Sequence, residues 1–339
     1  MKAIQLPAPG KARVVEMPEP QLGAEDVMVD IRYVGLCGTD LNAWRGTAAT
    51  VTYPRIPGHE VSGTIIAKGA AVPERVKQGA RVMLSPYSNC NLCPACSAGR
   101  PNCCQFNQTL GVQRDGAITS RIAIHYTKVF ASDILSFEEL ALAEPLSVGY
   151  HASNRGRVQE TDTALILGCG TIGLGAIAAA ARKGARVIVV DIDDDKLAMA
   201  KKFGAAIGIN STKENASQRI SELTGGEGPG VVIEAIGHPA TYRLAIEAVA
   251  FAGRVVYVGY AKEEVAYDTH LFVFKELDVM GSRNALLVFP VVIQMLEARA
   301  MPFKDMITRV YPFAETGRAL ADWSAAPGKV TKILIDVKA

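Results

Sequence analysis

The sequence offers no dense run of lysine or arginine, few aromatic side chains and almost no net charge. Its 339 residues carry 36 basic and 34 acidic groups, a formal charge of +2, and only 6% are aromatic. Binding along a phosphate backbone needs clustered cations, so nucleic acid is not an expected partner. The opening stretch, MKAIQLPAPGKARVVEMP, has charges and prolines where a secretory leader needs an apolar core, and a cytoplasmic location is expected. One uncharged run, Thr163 to Ala181, has the length of a membrane span. Its glycines, Gly168, Gly170, Gly173 and Gly175, suit a turn better than a lipid-facing helix, so no membrane association is expected.

Cysteine is sparse and unevenly spread. Of seven in the chain, five fall in CNLCPACSAGRPNCC, residues Cys90 to Cys104. Cytosolic thiols stay reduced, so such a cluster points to metal before disulfide. Cys90, Cys93 and Cys96 are separated by two intervening residues each, and Cys104 follows after seven more. Four thiolates close a tetrahedral zinc shell and leave no position for a substrate, which makes this a structural site. Cys103 leaves the fourth member ambiguous; the spacing favours Cys104. A redox CxxC pair and a nucleic-acid-binding zinc ribbon are the alternatives, and the near-neutral charge disfavours the second.

At this length two domains are expected. Up to about residue 146 short strand candidates alternate with Gly and Pro turns: DVMVDIRYVGLCGTD ends in a Gly-bounded loop, and VSGTIIAKG and ARVMLSP are further strands. From 147 to 282 apolar strands alternate with helices, beginning TALILG, TIGLGAIAAAARKG, ARVIVVD and DDKLAMAKKFGA, the pattern of a parallel sheet covered on both faces. After Ser282, FPVVIQMLEARAM reads as a helix and KVTKILIDV as a closing strand. The expected architecture is therefore α/β, a β-rich domain of residues 1–146 and 283–339 around a doubly wound domain of residues 147–282.

LILGCGTIG sets Gly168, Gly170 and Gly173, with Thr171 and Ile172 between them, at a strand-to-helix junction. Such a loop makes a tight turn, lets backbone approach a pyrophosphate and packs helix on strand. Asp191 ends the next strand at the interval where a ribose-binding acid is expected. The following acids in DIDDDK would repel a 2′-phosphate, so NAD is expected over NADP. Without its strand–turn–helix context the glycine pattern would be a mere structural turn.

A second, scattered set of possible ligands comprises Cys37, His59, Glu60 and Glu144, in VGLCGTDLNAW, PRIPGHEVSG and LALAEPLSVGYHA. Mixed sulfur, nitrogen and oxygen donors suit a zinc with an exchangeable position, though spacing alone leaves each a commonplace residue. GHEVSGTIIAKGAAV, with Gly63, Gly69 and Val72 in place, resembles the zinc signature of the medium-chain zinc-dependent alcohol dehydrogenases. The Cys37 loop, the four-cysteine lobe, Glu144-Pro145 and the glycine fingerprint follow in that family's order, so the resemblance spans nearly the whole chain.

The resemblance implies a GroES-like catalytic domain beside a Rossmann domain, with one catalytic and one structural Zn2+ per chain. It places Cys37, His59 and Glu144 at the catalytic zinc, with Glu60 near it, sometimes linked to the metal directly. Thr39 would relay the hydroxyl proton, Asp40 would orient the ligand histidine, and zinc would polarise the substrate oxygen as a Lewis acid. Many relatives carry histidine where this chain has Asn42, which cannot ionise near pH 7. CGTDLNAW, NCC, GVQRDG, MGSRNA and YPFAET look most like bacterial L-galactonate and L-gulonate 5-dehydrogenases, near the sorbitol and threonine branches. The expected ligand is thus a small polyhydroxylated molecule, and the family forms homodimers and homotetramers. Arg283 is a candidate to fork onto a substrate carboxylate, with Asn284 beside it and Trp44 as a pocket wall, or else as a core residue. The rival readings are an NAD-binding structural or regulatory protein and a zinc-free quinone reductase.

Overall fold

A computed structural model describes residues 1–339, which divide into two compact units. The first comprises Met1–Glu144 and Phe289–Ala339, the second Pro145–Val288.

In the first unit the strands are β1 (Lys2–Ala8), β2 (Lys11–Glu16), β3 (Asp26–Leu36), β4 (Glu60–Lys68), β5 (Arg81–Leu84), β6 (Arg121–His125) and β7 (Val129–Ala131), with β14 (Ile307–Pro312) and β15 (Lys332–Asp336) near the C-terminus. Strands β1 and β2 form a hairpin. The rest form a seven-stranded sheet in the order β14-β15-β3-β4-β5-β7, with β6 also paired to β3. The long strand β3 organises it. Its residues alternate between buried and half-buried until Tyr33, and the last four are all buried. One face is therefore covered along most of the strand, and both faces where it delivers Cys37. Apolar side chains from β3, β4, β5 and β15 form the core, joined by Leu320 and Trp323 of the C-terminal helix Thr316–Ala325. Burying each such aliphatic side chain contributes about 1.5–3 kcal/mol.

The stretch after β3, read from sequence as a loop, is a helix over Gly38–Arg45. The Cys37 N–H donates to Asp40 Oδ2 at 2.9 Å, satisfying a donor at the helix start. Gly46, in the left-handed region at φ 73°, ends it. Gly38, Thr39, Asp40 and Asn42, all poor helix formers, masked the helix because its stability comes from this cap and from packing rather than from propensity.

The second unit holds β8 (Thr163–Leu167), β9 (Arg186–Asp191), β10 (Ile207–Asn210), β11 (Val231–Glu234), β12 (Arg254–Tyr257) and β13 (Asp278–Gly281). All pair in parallel, in the order β10-β9-β8-β11-β12-β13. This is the doubly wound dinucleotide-binding order, with its switch point between β8 and β11. The central strands are almost wholly buried, whereas β13 is an exposed edge. The run Thr163–Ala181 becomes β8, a turn and most of the helix Thr171–Arg182, and no helix is long and apolar enough to cross a membrane.

Helix Thr171–Arg182 starts so close to β8 that a Cβ on Gly173 would stand 1.9 Å from the Gly168 carbonyl oxygen. Gly173→Ala should therefore cost about 1–3 kcal/mol of stability through overpacking, read as a lower urea midpoint. An unchanged midpoint would show that the close helix–strand approach is not required.

Candidate metal centres and dinucleotide cleft

Cys90, Cys93, Cys96 and Cys104 converge in a lobe of the first unit, all four sulfurs lying within 4.8 Å of one another. The pairs Cys93–Cys96, Cys93–Cys104 and Cys90–Cys96 are 3.5, 3.9 and 4.0 Å apart. A tetrahedron of Zn–S bonds of about 2.3 Å sets its sulfurs about 3.8 Å apart, so this donor set fits zinc. Helix Pro94–Ser97 starts at Cys93, and the N–H groups of Cys93 and Cys90 donate to the sulfurs of Cys90 and Cys104, both at 3.3 Å. Backbone donors at Cys96 and Gln105 pull the Cys93 thiol down to about 6, while burial and neighbouring sulfurs push Cys96 up to about 12. Four thiolates need a cation between them. Cys103 stands outside the group, its sulfur 3.7 Å from the Arg100 guanidinium.

The other site is built where β3 ends and β4 begins. Cys37 follows β3 and His59 precedes β4; their donor atoms and a Glu60 carboxylate oxygen lie within 4.8 Å of one another. Glu144, on helix Phe137–Arg155, is not in that group. It is buried beside it, and Tyr87 donates its phenolic hydrogen to Glu144 Oε1. Burial of His59 lowers its pKa, but Cys37, Asp40 and Glu144 outweigh this and hold it well above the ordinary imidazole value. Its Nδ1 is buried without a hydrogen-bond partner. A soft sulfur, an imidazole and carboxylates gathered in a negative hollow fit a zinc ion.

Two residues that sequence reasoning missed complete this site. Lys332 on β15 is 3% exposed and donates to both oxygens of Glu60 at 2.6 Å and to the Leu36 carbonyl at 3.0 Å. One ammonium thus ties the residue before Cys37 to the residue after His59. Gly35 makes room, since a Cβ there would lie 2.1 Å from Glu60 Oε2. The second is Tyr87. Burial and the Glu144 charge raise its pKa well above 10, so the phenol keeps its proton and donates it.

The structure corrects the expectation for Asp40. Its carboxylate accepts from the Cys37 and Gly58 N–H groups at 2.9 and 3.1 Å and makes no hydrogen bond to the His59 ring. It aligns the two ligand-bearing backbones and acts on the imidazole through charge. Thr39 is half-buried, its Oγ1 3.8 Å from the Cys37 sulfur. Asn42, one turn further, accepts from the Thr47 hydroxyl at 3.3 Å. Trp44 is half-buried and packs against the hydrophobic core. Arg283 and Asn284 lie in the second unit, the former exposed and the latter at φ 54°.

In the second unit, Thr171 and Ile172 open the helix whose cap is Gly170. A Cβ on Gly170 would meet nothing within 4 Å. That open side, at the start of a helix, is where a pyrophosphate comes close to backbone. Asp191 ends β9 with its carboxylate largely buried, accepting from the N–H groups of Cys169, Ile192 and Asp193 at 2.8, 2.7 and 3.2 Å. It thus anchors the glycine loop as well as presenting an acid at the cleft. These residues fit a dinucleotide.

Lys332→Met would leave the Glu60 carboxylate buried without its cation, and the expected loss of stability is about 3–5 kcal/mol, measured by urea unfolding of the zinc-loaded protein. Lys332→Arg should retain more stability than the methionine variant. A methionine variant as stable as the parent would contradict the bracing role.

The sequence matches two family models: the alcohol dehydrogenase GroES-like domain over residues 23–134 and the zinc-binding dehydrogenase domain over residues 171–298. A zinc-type alcohol dehydrogenase-like protein of Haemophilus influenzae is 38% identical over 336 residues, 98% of each chain. The L-galactonate-5-dehydrogenase of Escherichia coli K12 is 32% identical, over 88% of this chain and 87% of the relative. Among solved structures, the RspB alcohol dehydrogenase of E. coli CFT073, complexed with NADH, superposes with a TM-score of 0.92 at 29% identity, over 99% of both chains. By its matched domains, its length-spanning relatives and its two zinc-fitting clusters, the chain belongs to the zinc-binding alcohol and polyol dehydrogenases, a family of oxidoreductase enzymes.

Proposed function

We propose that this protein oxidises a secondary hydroxyl of a sugar acid or polyol to a ketone with NAD, L-galactonate and L-gulonate being the favoured substrates. The observation that carries the reading is the convergence of Cys37, His59 and Glu60 beside Glu144, in a chain that also bears the glycine loop closed by Asp191. When bound, zinc supplies Lewis acidity toward the substrate oxygen and nicotinamide supplies the hydride acceptor.

The chain's own residues hold, orient and move protons. Cys37, His59 and the nearby carboxylates would hold the metal, while Lys332 and Asp40 keep the two ligand-bearing segments in register. The reaction takes a hydride from carbon and a proton from oxygen. The Thr39 hydroxyl is the group that accepts that proton at Oγ1 while releasing its own. Asn42 has no proton to exchange near neutral pH, so the release runs to water rather than through a side chain at that position. Tyr87 restrains Glu144. The NAD preference rests on Asp191 and the acids that follow it, which repel a 2′-phosphate. Family likeness favours a homodimer or homotetramer. A sorbitol- or threonine-type activity is the nearest alternative, compatible with the same centre.

A panel of L-galactonate, L-gulonate, sorbitol, L-threonine and primary alcohols, read as NADH formation at 340 nm, tests the reading. The expected result is preferential turnover of the sugar acids or polyols with NAD over NADP. Turnover of primary alcohols alone would refute the substrate class.

A further inference from the structure

Two cations in the first unit have no counter-charge. Arg114 and Lys128 are both half-buried, and neither pairs with a carboxylate. Arg114 Nε is buried with no hydrogen-bond partner. The Lys128 ammonium reaches only a neutral group, Asn89 Oδ1, at 3.1 Å. Asp115, the acid next to Arg114, is engaged elsewhere: its Oδ1 takes the Ile56 N–H at 3.1 Å and the Arg55 guanidinium at 3.3 Å.

The backbone ties both cations to one segment, residues 85–87. Arg114 forms a β-bridge with Leu110, whose N–H donates to the Pro86 carbonyl at 3.1 Å. From the same segment the Ser85 N–H donates to the Lys128 carbonyl at 2.7 Å. The next residue after Pro86 is Tyr87, the phenol that donates to Glu144 at the zinc-fitting site. Phe130, two residues after Lys128, packs on Phe289 with ring centroids 5.1 Å apart, and Phe289 stacks on Tyr87 at 6.4 Å. Burial lowers the pKa of both cations, and the Arg114 charge lowers that of Lys128 further. Two partly desolvated like charges held together without an acid are costly unless an anion joins them.

We infer that Arg114 and Lys128, with Asn89 beside them, form a subsite for the anionic end of the substrate, a carboxylate or a phosphate on a polyhydroxylated chain. The inference rests on the substrate reading above and makes it narrower: the preferred polyol is charged. A planar guanidinium supplies a fork for two oxygens and the ammonium a mobile point charge. The Asn89 side chain holds the ammonium in place. The site lies one residue from Cys90, so the competing explanation is that the two cations offset the charge of the four-thiolate zinc.

The experiment compares the zinc-loaded parent with the Arg114→Gln/Lys128→Gln double variant on L-galactonate, galactitol and galactitol 1-phosphate, with zinc per chain measured in both. L-galactonate and galactitol differ only in a carboxylate replacing a terminal hydroxymethyl, and the phosphate ester separates the two anion types. The parent should favour an anionic substrate over galactitol. In the double variant the KM for that substrate should rise about 10–100-fold relative to galactitol, the effect of losing charge-assisted hydrogen bonds, with zinc content unchanged. Equal losses on all three substrates, or loss of zinc from the double variant, would overturn the subsite. If the parent oxidises none of them, the galactonate-type substrate reading fails on its own. Inorganic phosphate then decides the subsite: it should raise the melting temperature of the parent and not of the double variant, and an equal or absent shift would overturn it.

Discussion

A single buried ammonium holds the reactive part of the first unit together. Lys332 reaches from the last strand to the Leu36 carbonyl and both oxygens of Glu60. Leu36 precedes Cys37 and Glu60 follows His59, so this one group couples two segments that are separate in sequence but adjacent in the sheet. Asp40 makes the same connection from the other side, taking the N–H groups of Cys37 and Gly58. Both links are charged and buried, where a broken hydrogen bond is costly. The sulfur and imidazole donors are therefore held by polar anchors on rigid strands, as a metal centre requires for a defined geometry.

The two metal-fitting clusters differ in the way their chemistry demands. The four-cysteine lobe uses one short stretch, backbone N–H donors to its sulfurs and a complete set of four soft ligands. It can stiffen a loop and has no position left for a substrate. The Cys37–His59 centre draws its donors from different elements and mixes them with carboxylates already engaged by Lys332 and Tyr87. Ligands restrained by other partners leave room for exchange, which a reacting hydroxyl needs. The second unit, described by itself, meets the requirements of a dinucleotide: open space at Gly170, a helix start and a buried acid at Asp191.

How much of this was legible in the sequence follows from how local each feature is. The parallel sheet was readable because its central strands are continuous apolar runs buried on both faces. The Cys90–Cys104 lobe and the Gly168–Gly173 loop were readable because their ligands or glycines lie within one turn or one loop. Lys332 was not, since 272 residues separate it from Glu60 and a lysine near a C-terminal strand carries no marking of burial. Tyr87 stands 57 residues from Glu144 and was equally silent. The helix at Gly38–Arg45 was hidden by residues of poor helix propensity, and Asp40 was assigned to the histidine ring when its partners are backbone groups. Arg114 and Lys128 looked like ordinary surface charges; only burial without an acid sets them apart.

The most direct test of the account is metal content and turnover in two single variants, Cys37→Ser and Cys93→Ser, purified as full chains. Cys37→Ser should keep the lobe's zinc and its melting temperature but form no NADH, whereas Cys93→Ser should lose the lobe's zinc and melt at lower temperature. Undiminished oxidation by Cys37→Ser lacking its own zinc would contradict the assignment of chemistry to that centre.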